Sequence, residues 1–297
     1  MSYIDQESSW LITEDGVKTM STLIYNSGTD IKVERDYLAN LQTPPPMGKR
    51  HAPYPFHAFA NDTVDAIENA GFTIEAEDYA ITKDEQRLFG LLNVSRPVAP
   101  DAPTFGVPAL YRPKWNLLVA LRGAHDQSIS RGLAIGSRVM VCSNLCFHGD
   151  LGNWRSKQTT NISERIPEMV ADAVSGLGHA GKRLTIDFDA FNDQEITRDQ
   201  GDDVLLDIFR AGGFSPSQLG RAISDWDECS VEEHTFNGRN VWWLFNSATH
   251  ALKPTGANAN HGDIQHRSTV VYNKMLEGSR QLLNVKARGG EGNFRIV

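Results

Sequence analysis

The stretch that decides the fold is WNLLVALRGAHDQSISRGLAIGSRVMVCSNLCFHGD, residues 115–150. Its first apolar run, 115–121, stops at an Arg-Gly pair, where a polar corner begins. A glycine-rich return, 131–136, then leads into a second short β-branched run at 139–142. Apolar runs of this length, bounded by glycine and polar residues, are typical of buried strands. The stretch therefore predicts two strands joined by a polar loop, with charged side chains at the strand ends.

Length and composition exclude several classes of protein. The chain has 297 residues, of which 40% are hydrophobic and 22% charged, enough for a substantial globular core. No apolar run approaches the roughly 18 residues that cross a bilayer, so we expect no membrane partner. The N-terminus, MSYIDQESSWLITEDG, is acidic where a signal peptide is basic and then apolar. We therefore expect a cytoplasmic protein, whose cysteines are reduced thiols because they form no metal-type repeat.

Patterns upstream of the central stretch predict one helix and one hairpin. Apolar residues recur at helical spacing over 56–70, and two strand-like runs over 72–94 flank a polar turn at 82–85. Two proline-rich segments, 43–55 and 95–113, predict an extended arm and a long loop, because proline at this density disfavours helices and central strands.

Downstream of the central stretch, helical patterns predominate. One apolar face recurs over 163–177, and capping boxes begin at Thr197 and Ser215. Further helices are predicted at 241–252 and 264–283. The expected fold class is therefore α+β: a small, mainly antiparallel sheet with packed helices, plus a helical C-terminal subdomain.

These patterns predict four parts along the chain. Extended and strand-like segments occupy its first part, and helical segments follow. We expect an N-terminal lead-in with the proline-rich arm at 1–55, an α+β core domain at 56–180, a helical subdomain at 181–285 and a flexible tail at 286–297.

Charge is distributed unevenly along the chain, whose net charge is −8. Residues 110–157 contain seven Lys or Arg and two acidic residues, whereas residues 187–233 contain thirteen acidic residues and three arginines. A basic block beside an acidic one can bind a polyanion locally while the whole protein stays soluble. The alternative is that the two blocks pair with each other, within one chain or between subunits.

The basic block interleaves cations with aromatic side chains. Cations that follow a phosphate backbone, beside aromatic rings that stack on bases, suit sequence-tolerant binding of single-stranded DNA. The alternatives are that the cations pair with the acidic helices, or that the tryptophans belong to the core. The candidate nucleic-acid-binding residues are Arg112, Lys114, Trp115, Arg122, Arg131, Arg138, Trp154, Arg155 and Lys157.

A second candidate site is a metal site. His125, Asp126, His148 and Asp150 lie on two loops that flank one predicted strand, and histidine with carboxylate suits zinc, manganese or iron. Their spacing matches no compact metal motif, and a His-x-Asp sequence is also typical of a capped turn. A divalent metal is therefore one hypothesis, and otherwise we expect no cofactor.

Other catalytic patterns are weak or missing. Asp187-x-Asp189 lacks the glycine and glutamate of a calcium-binding EF-hand loop. Cys142 or Ser128 could form a nucleophilic dyad with His125, but Cys142 continues a period-two apolar pattern and is better explained as a buried residue. The chain has neither a Gly-x-Ser-x-Gly elbow nor a phosphate-binding glycine loop. The sequence therefore favours a binding protein and indicates no catalytic residue.

The central stretch resembles the signature of a phage- and plasmid-encoded family known as domain of unknown function 932. That family shows an Asn-Ser-His-Asp-like turn and then a glycine-rich return into an Arg-Val-x-Val-Cys-x-Asn strand. Gly123-Ala124 stands here where the family has Asn-Ser. The matching positions are His125, Asp126, Ser128, Gly136, Arg138, Val139, Val141, Cys142 and Asn144.

The resemblance implies a protein of mobile genetic elements and says nothing of its chemistry. The order helix, hairpin, hairpin, helix is similar in outline to phage single-strand annealing proteins, a topological analogy. We predict a phage or plasmid DNA-metabolism protein in the host cytoplasm that binds single-stranded DNA and anneals it as a homo-oligomer. Two alternatives stay open: a metal-dependent enzyme built on the four candidate metal ligands, and an inhibitor of host defence whose acidic half mimics nucleic acid.

Overall fold

The computed structural model describes residues 30–95, 115–139, 145–147, 152–229, 238–253 and 264–287. This part of the chain forms one antiparallel sheet and seven helices, with most of the helices following the sheet. The predicted α+β fold class is thereby confirmed. None of the helices in these ranges combines the length and the apolarity needed to cross a bilayer.

The sheet is a meander of neighbouring antiparallel strands. Strands β1 to β6 lie side by side in the order of the sequence, and β7 pairs with β5 next to β6. The last edge of the sheet is thus divided between two short strands. The strands are β1 (Asp30–Val33), β2 (Thr73–Thr82), β3 (Arg87–Ser95), β4 (Trp115–Ala124), β5 (Arg131–Val139), β6 (Leu145–Phe147) and β7 (Asn153–Ser156).

Strand β5 corrects the predicted position of the second central strand. The sequence placed that strand at 139–142 and treated 131–136 as a loop, but residues 131–139 form a strand, and residues 140–142 lie outside the described residues. Leu133 and Ile135 are buried on one face, and the residues that alternate with them are Gly132, Ala134 and Gly136. Glycine in a sequence usually indicates a loop. Here the glycines belong to a strand with small residues on one face and apolar residues on the other, so the loop prediction was wrong.

The helices follow the local signals in the sequence closely. The predicted capping boxes are confirmed, because the Thr197 side chain accepts from the Gln200 backbone and the Ser215 side chain from that of Gln218. The helices are α1 (Arg35–Ala39), α2 (Phe56–Asn69), α3 (Ile162–Asp193), α4 (Arg198–Arg210), α5 (Pro216–Asp227), α6 (Val241–Ala251) and α7 (Ile264–Ala287).

Helix α3 is longer than the sequence predicted. It has 32 residues, about 48 Å of helix, whereas the predicted helix ended at Leu177. Its buried face continues beyond that point through Ala180, Leu184 and Phe188, which are three or four residues apart. The predicted domain boundary at 180 therefore falls inside one helix.

The two faces of the sheet differ. On one face, here called the covered face, α2 and α3 pack over buried side chains such as Leu88, Leu121 and Leu133. The opposite face carries Arg122 and Arg155 and is called the arginine face. Leu118 on the arginine face is only 1% exposed, so the accessible part of that face lies toward Arg122.

Candidate nucleic-acid interface

A row of side chains crosses four strands on the arginine face. Phe89 of β3 pairs with Arg122 of β4, Arg122 pairs with Gly132 of β5, and Gly132 pairs with Arg155 of β7. Residues directly opposite each other in antiparallel strands project to the same face. The Cα atoms of Arg122 and Arg155 are therefore two strand spacings apart, about 10 Å.

The side chains of Arg122 and Arg155 both extend over Gly132, which lies between them. A Cβ atom at Gly132 would lie 3.7 Å from Arg122 Nε and 3.7 Å from Arg155 Cγ. Burial and the neighbouring charge of Arg155 lower the pKa of Arg122. Among the residues that the structure describes, neither guanidinium forms an ion pair with a carboxylate, and Arg155 Nε donates to Asn153 Oδ1 at 3.3 Å. Two like charges thus lie close together without a counter-charge from the described part of the chain.

Two further candidate cations lie in the described residues. Lys157 is exposed, directly after the end of β7 and two residues after Arg155. Arg138 is six residues along β5 from Gly132, about 20 Å away, and the charge of Asp78 partly offsets the lowering of its pKa by burial. Arg138 is therefore separate from the arginine pair.

Arg131 corrects one predicted site residue. It is 0% exposed on the covered face, where its guanidinium lies 4.4 Å from the centroid of the Phe56 ring and donates to the Tyr54 carbonyl. This position contradicts the prediction that Arg131 is one of the nucleic-acid-binding residues, because its side chain does not reach solvent. Neighbouring residues of a strand point to opposite faces, and the row already places Gly132 on the arginine face.

The two candidate tryptophans also lie on the covered face. The Trp115 ring meets Phe188 edge-on at a centroid distance of 5.2 Å, and Trp154 packs beside Ile135. Both are half-buried against the hydrophobic core. The structure thus agrees with the alternative that these tryptophans belong to the core. Phe89 is the aromatic residue beside the arginine pair, and only the strand register could have revealed it.

Four predicted site residues cannot be placed in this geometry. Arg112 and Lys114 of the basic block, and His148 and Asp150 of the metal set, lie outside the described residues. The described part of the basic block therefore contributes the arginine pair and Lys157.

His125 and Asp126 are the two candidate metal ligands that the structure describes, and each of them lies beside an arginine side chain. His125 is 2% exposed, and its Nδ1 lies 3.3 Å from Arg131 Nη2, so a metal ion there would meet a guanidinium. The Asp126 carboxylate accepts from Ser128 and lies 3.2 Å from Arg87 Nη2. Within the described ranges, no group of three or more His, Cys, Asp or Glu side chains could hold a metal ion.

Replacing Asp126 by alanine is expected to lower the free energy of unfolding by about 1–2 kcal/mol, because charge-assisted hydrogen bonds are lost. Burial favours the neutral acid, but bonds from Ser128 and Arg87 outweigh it and lower the pKa of Asp126. Urea unfolding measures the change. Asp126→Asn keeps an acceptor for Ser128, so its free energy of unfolding should fall less than that of the alanine variant. An alanine variant as stable as the wild type would contradict a structural role for this corner.

Comparison with known proteins assigns no family to this chain. A scan against protein-family models, and searches of curated proteins and of solved structures, return no significant match. The class is therefore defined by the fold and the site alone: an α+β protein whose antiparallel sheet carries a pair of arginines on one face.

Proposed function

We propose that this protein binds single-stranded DNA across the arginine face, with Arg122 and Arg155 contacting phosphate groups. The observation that carries the proposal is that the Arg122 guanidinium and the Arg155 side chain both lie over Gly132 without a carboxylate partner in the described ranges. Guanidinium groups bind phosphate oxygens through paired, charge-assisted hydrogen bonds. Burial and, after it, the charge of Arg155 lower the pKa of Arg122, and a bound polyanion would compensate that neighbouring charge.

Phe89 favours a single strand over a duplex. It is partly exposed in the same row as the arginines, directly opposite Arg122. Aromatic side chains on a sheet stack on unpaired bases, whereas the bases of a duplex are already stacked on each other. An aromatic ring beside two cations is the combination that sequence-tolerant binding of single strands uses.

The wider biological role stays a prediction from the sequence. Annealing of two strands, assembly into a homo-oligomer and a place in phage or plasmid DNA metabolism all depend on properties beyond the arginine face. Binding to DNA is the first of these properties, and it can be tested alone.

Replacing Arg122 or Arg155 by glutamine is expected to weaken binding of single-stranded DNA about tenfold. That factor corresponds to the loss of one charge-assisted hydrogen bond of about 1.5 kcal/mol. Each variant should also flatten the dependence of log affinity on log salt by about 0.7 units, because one phosphate contact fewer releases fewer counterions. Fluorescence anisotropy with a labelled strand on the order of 30 nucleotides, titrated at several salt concentrations, measures both quantities.

Arg165→Gln is the matched control, because it removes the same charge from an exposed position on α3 and leaves the arginine face intact. Phe89→Leu should weaken binding by about 1–3 kcal/mol while leaving the salt dependence unchanged. Wild-type protein that binds neither single strands nor duplexes at low salt would overturn the proposal. Equal losses in Arg165→Gln and Arg122→Gln would do so as well, since attraction would then be unspecific.

A further inference from the structure

A second group of side chains surrounds the buried Arg131 on the covered face, where α2 begins. It consists of His51, Tyr54, Phe56, His125 and Arg131, and is called the Arg131 cluster. The Arg131 guanidinium lies over the ring of Phe56, the first residue of α2. Its Nη2 donates to the Tyr54 carbonyl and lies 3.3 Å from His125 Nδ1. The cluster is separated from the arginine face by the sheet itself.

The Arg131 cluster contains buried donors that have no acceptor. Among the described residues, Nε and Nη1 of Arg131 are both buried without a hydrogen-bond partner. His51 is 8% exposed, and its Nδ1 accepts from the Met47 backbone at 3.0 Å, so its proton is on Nε2. This Nε2 also has no partner. His51 lies near enough for its charge to act on His125, whose Nδ1 is 3.3 Å from Arg131 Nη2. Buried polar groups are nearly always satisfied, so leftover donors around one residue indicate a missing acceptor.

Two carboxylates lie beside members of the cluster but are engaged by other groups: Asp62 accepts from the Tyr54 hydroxyl at 2.6 Å, and Asp126 accepts from Ser128 and lies 3.2 Å from Arg87 Nη2. No Asp or Glu among the described residues forms an ion pair with Arg131, and an unpaired buried charge costs several kcal/mol. The adjacent N-terminus of α2 has no side-chain cap and adds the positive end of a helix dipole. A water molecule could accept from the donors, but it would not compensate the charge.

The surroundings of Arg131 fit its guanidinium closely. A Cβ atom at Gly123 would lie 2.4 Å from Arg131 Nη1 and 2.5 Å from its Cδ, so this position has room only for glycine. The Phe56 ring covers the guanidinium at 4.4 Å. A cation enclosed in this way, and 0% exposed, cannot reach a polymer in solvent.

We propose that the Arg131 cluster binds one small inorganic anion of about the size of chloride, buried between the sheet and the N-terminus of α2. The donors of Arg131 and His51 supply hydrogen bonds to it, and the guanidinium supplies the charge. Helix N-termini with convergent donors are established sites for anions. The close packing around Arg131 excludes larger anions such as polyphosphates. This site is independent of DNA binding on the arginine face.

The test compares the melting temperature of the wild-type protein in sodium chloride and in sodium gluconate at equal ionic strength. A ligand bound only by the folded state stabilises it, so chloride is expected to raise the melting temperature by about 2–4 °C, rising further with concentration. Arg131→Met keeps an apolar side chain of similar length and should remove the chloride dependence, whatever its own stability. The control Arg165→Met should respond to chloride as the wild type does.

A crystal grown in sodium bromide gives a direct readout, even if Arg131→Met does not fold. An anomalous bromide peak within hydrogen-bond distance of Arg131 and His51 is the expected result. Equal melting temperatures of the wild type in chloride and gluconate, together with no bromide peak, would overturn the proposal. Full chloride dependence in Arg131→Met would overturn it too, because the anion would then bind elsewhere.

Discussion

Replacing Phe188 by alanine is expected to lower the free energy of unfolding by about 3–5 kcal/mol, the range for buried aromatic truncations. Phe188 is 0% exposed in α3, and its ring lies 5.2 Å from that of Trp115 in β4. It also lies 5.3 Å from Trp242 and from Phe245 in α6. A cavity at this position therefore removes contacts that join the sheet to the C-terminal helices.

Urea unfolding of Phe188→Ala, followed both by tryptophan fluorescence and by far-ultraviolet circular dichroism, measures this loss. Phe188→Leu fills most of the space and should cost less than about 1.5 kcal/mol. The two signals should change together if sheet and helices unfold as one unit. A loss below 1 kcal/mol, on the order of a surface substitution, or two separate transitions in the wild type, would contradict the role given to Phe188.

Lowering the pH from 7 to 4 is expected to reduce the free energy of unfolding by up to about 3 kcal/mol, because His125 takes up a proton more readily in the unfolded chain. Burial, followed by the charges of Arg131 and His51, lowers the pKa of His125 from 6.5 to about 4, while Asp126 opposes the shift. Because the folded-state pKa is the lower one, the unfolded chain takes up the proton first. The contribution of His125 to the free energy of unfolding is fully present well above pH 6.5 and is lost progressively as the pH falls toward 4.

The measurement is the free energy of unfolding of wild-type protein and of His125→Asn at several pH values from 7 to about 4. The asparagine side chain offers Arg131 Nη2 an acceptor in place of His125 Nδ1, and it does not titrate. The wild-type curve should therefore fall more steeply than that of the variant. Two curves that fall in parallel would show that other groups cause the acid sensitivity.

Local sequence signals predicted a large part of the fold. The apolar spacing of α2, the polar turn between β2 and β3 and the two capping boxes each depend on residues close together in the chain. The same signals missed β5 and the second half of α3, since glycine in both segments is a local sign of a loop. In both segments a continuous buried face, visible only after packing, outweighs that local preference.

The candidate site was harder to predict because its residues meet through strand pairing. Arg122 and Arg131 are near in sequence but point to opposite faces of the sheet, whereas Arg122 and Arg155 are distant in sequence and meet over Gly132. A shift of one residue in the register of β5 would exchange its two faces. Composition identified the basic block, and the register selects which of its cations act together.

The order of the strands has a consequence for synthesis on the ribosome. Strands β1 to β6 are neighbours in the sheet in the order in which they are translated, so each strand can pair with one already made. Helix α3, which covers part of the same sheet, is translated only after β7. During that interval the nascent chain exposes apolar side chains of β4 and β5, and this is the stage at which a chaperone would protect it from aggregation.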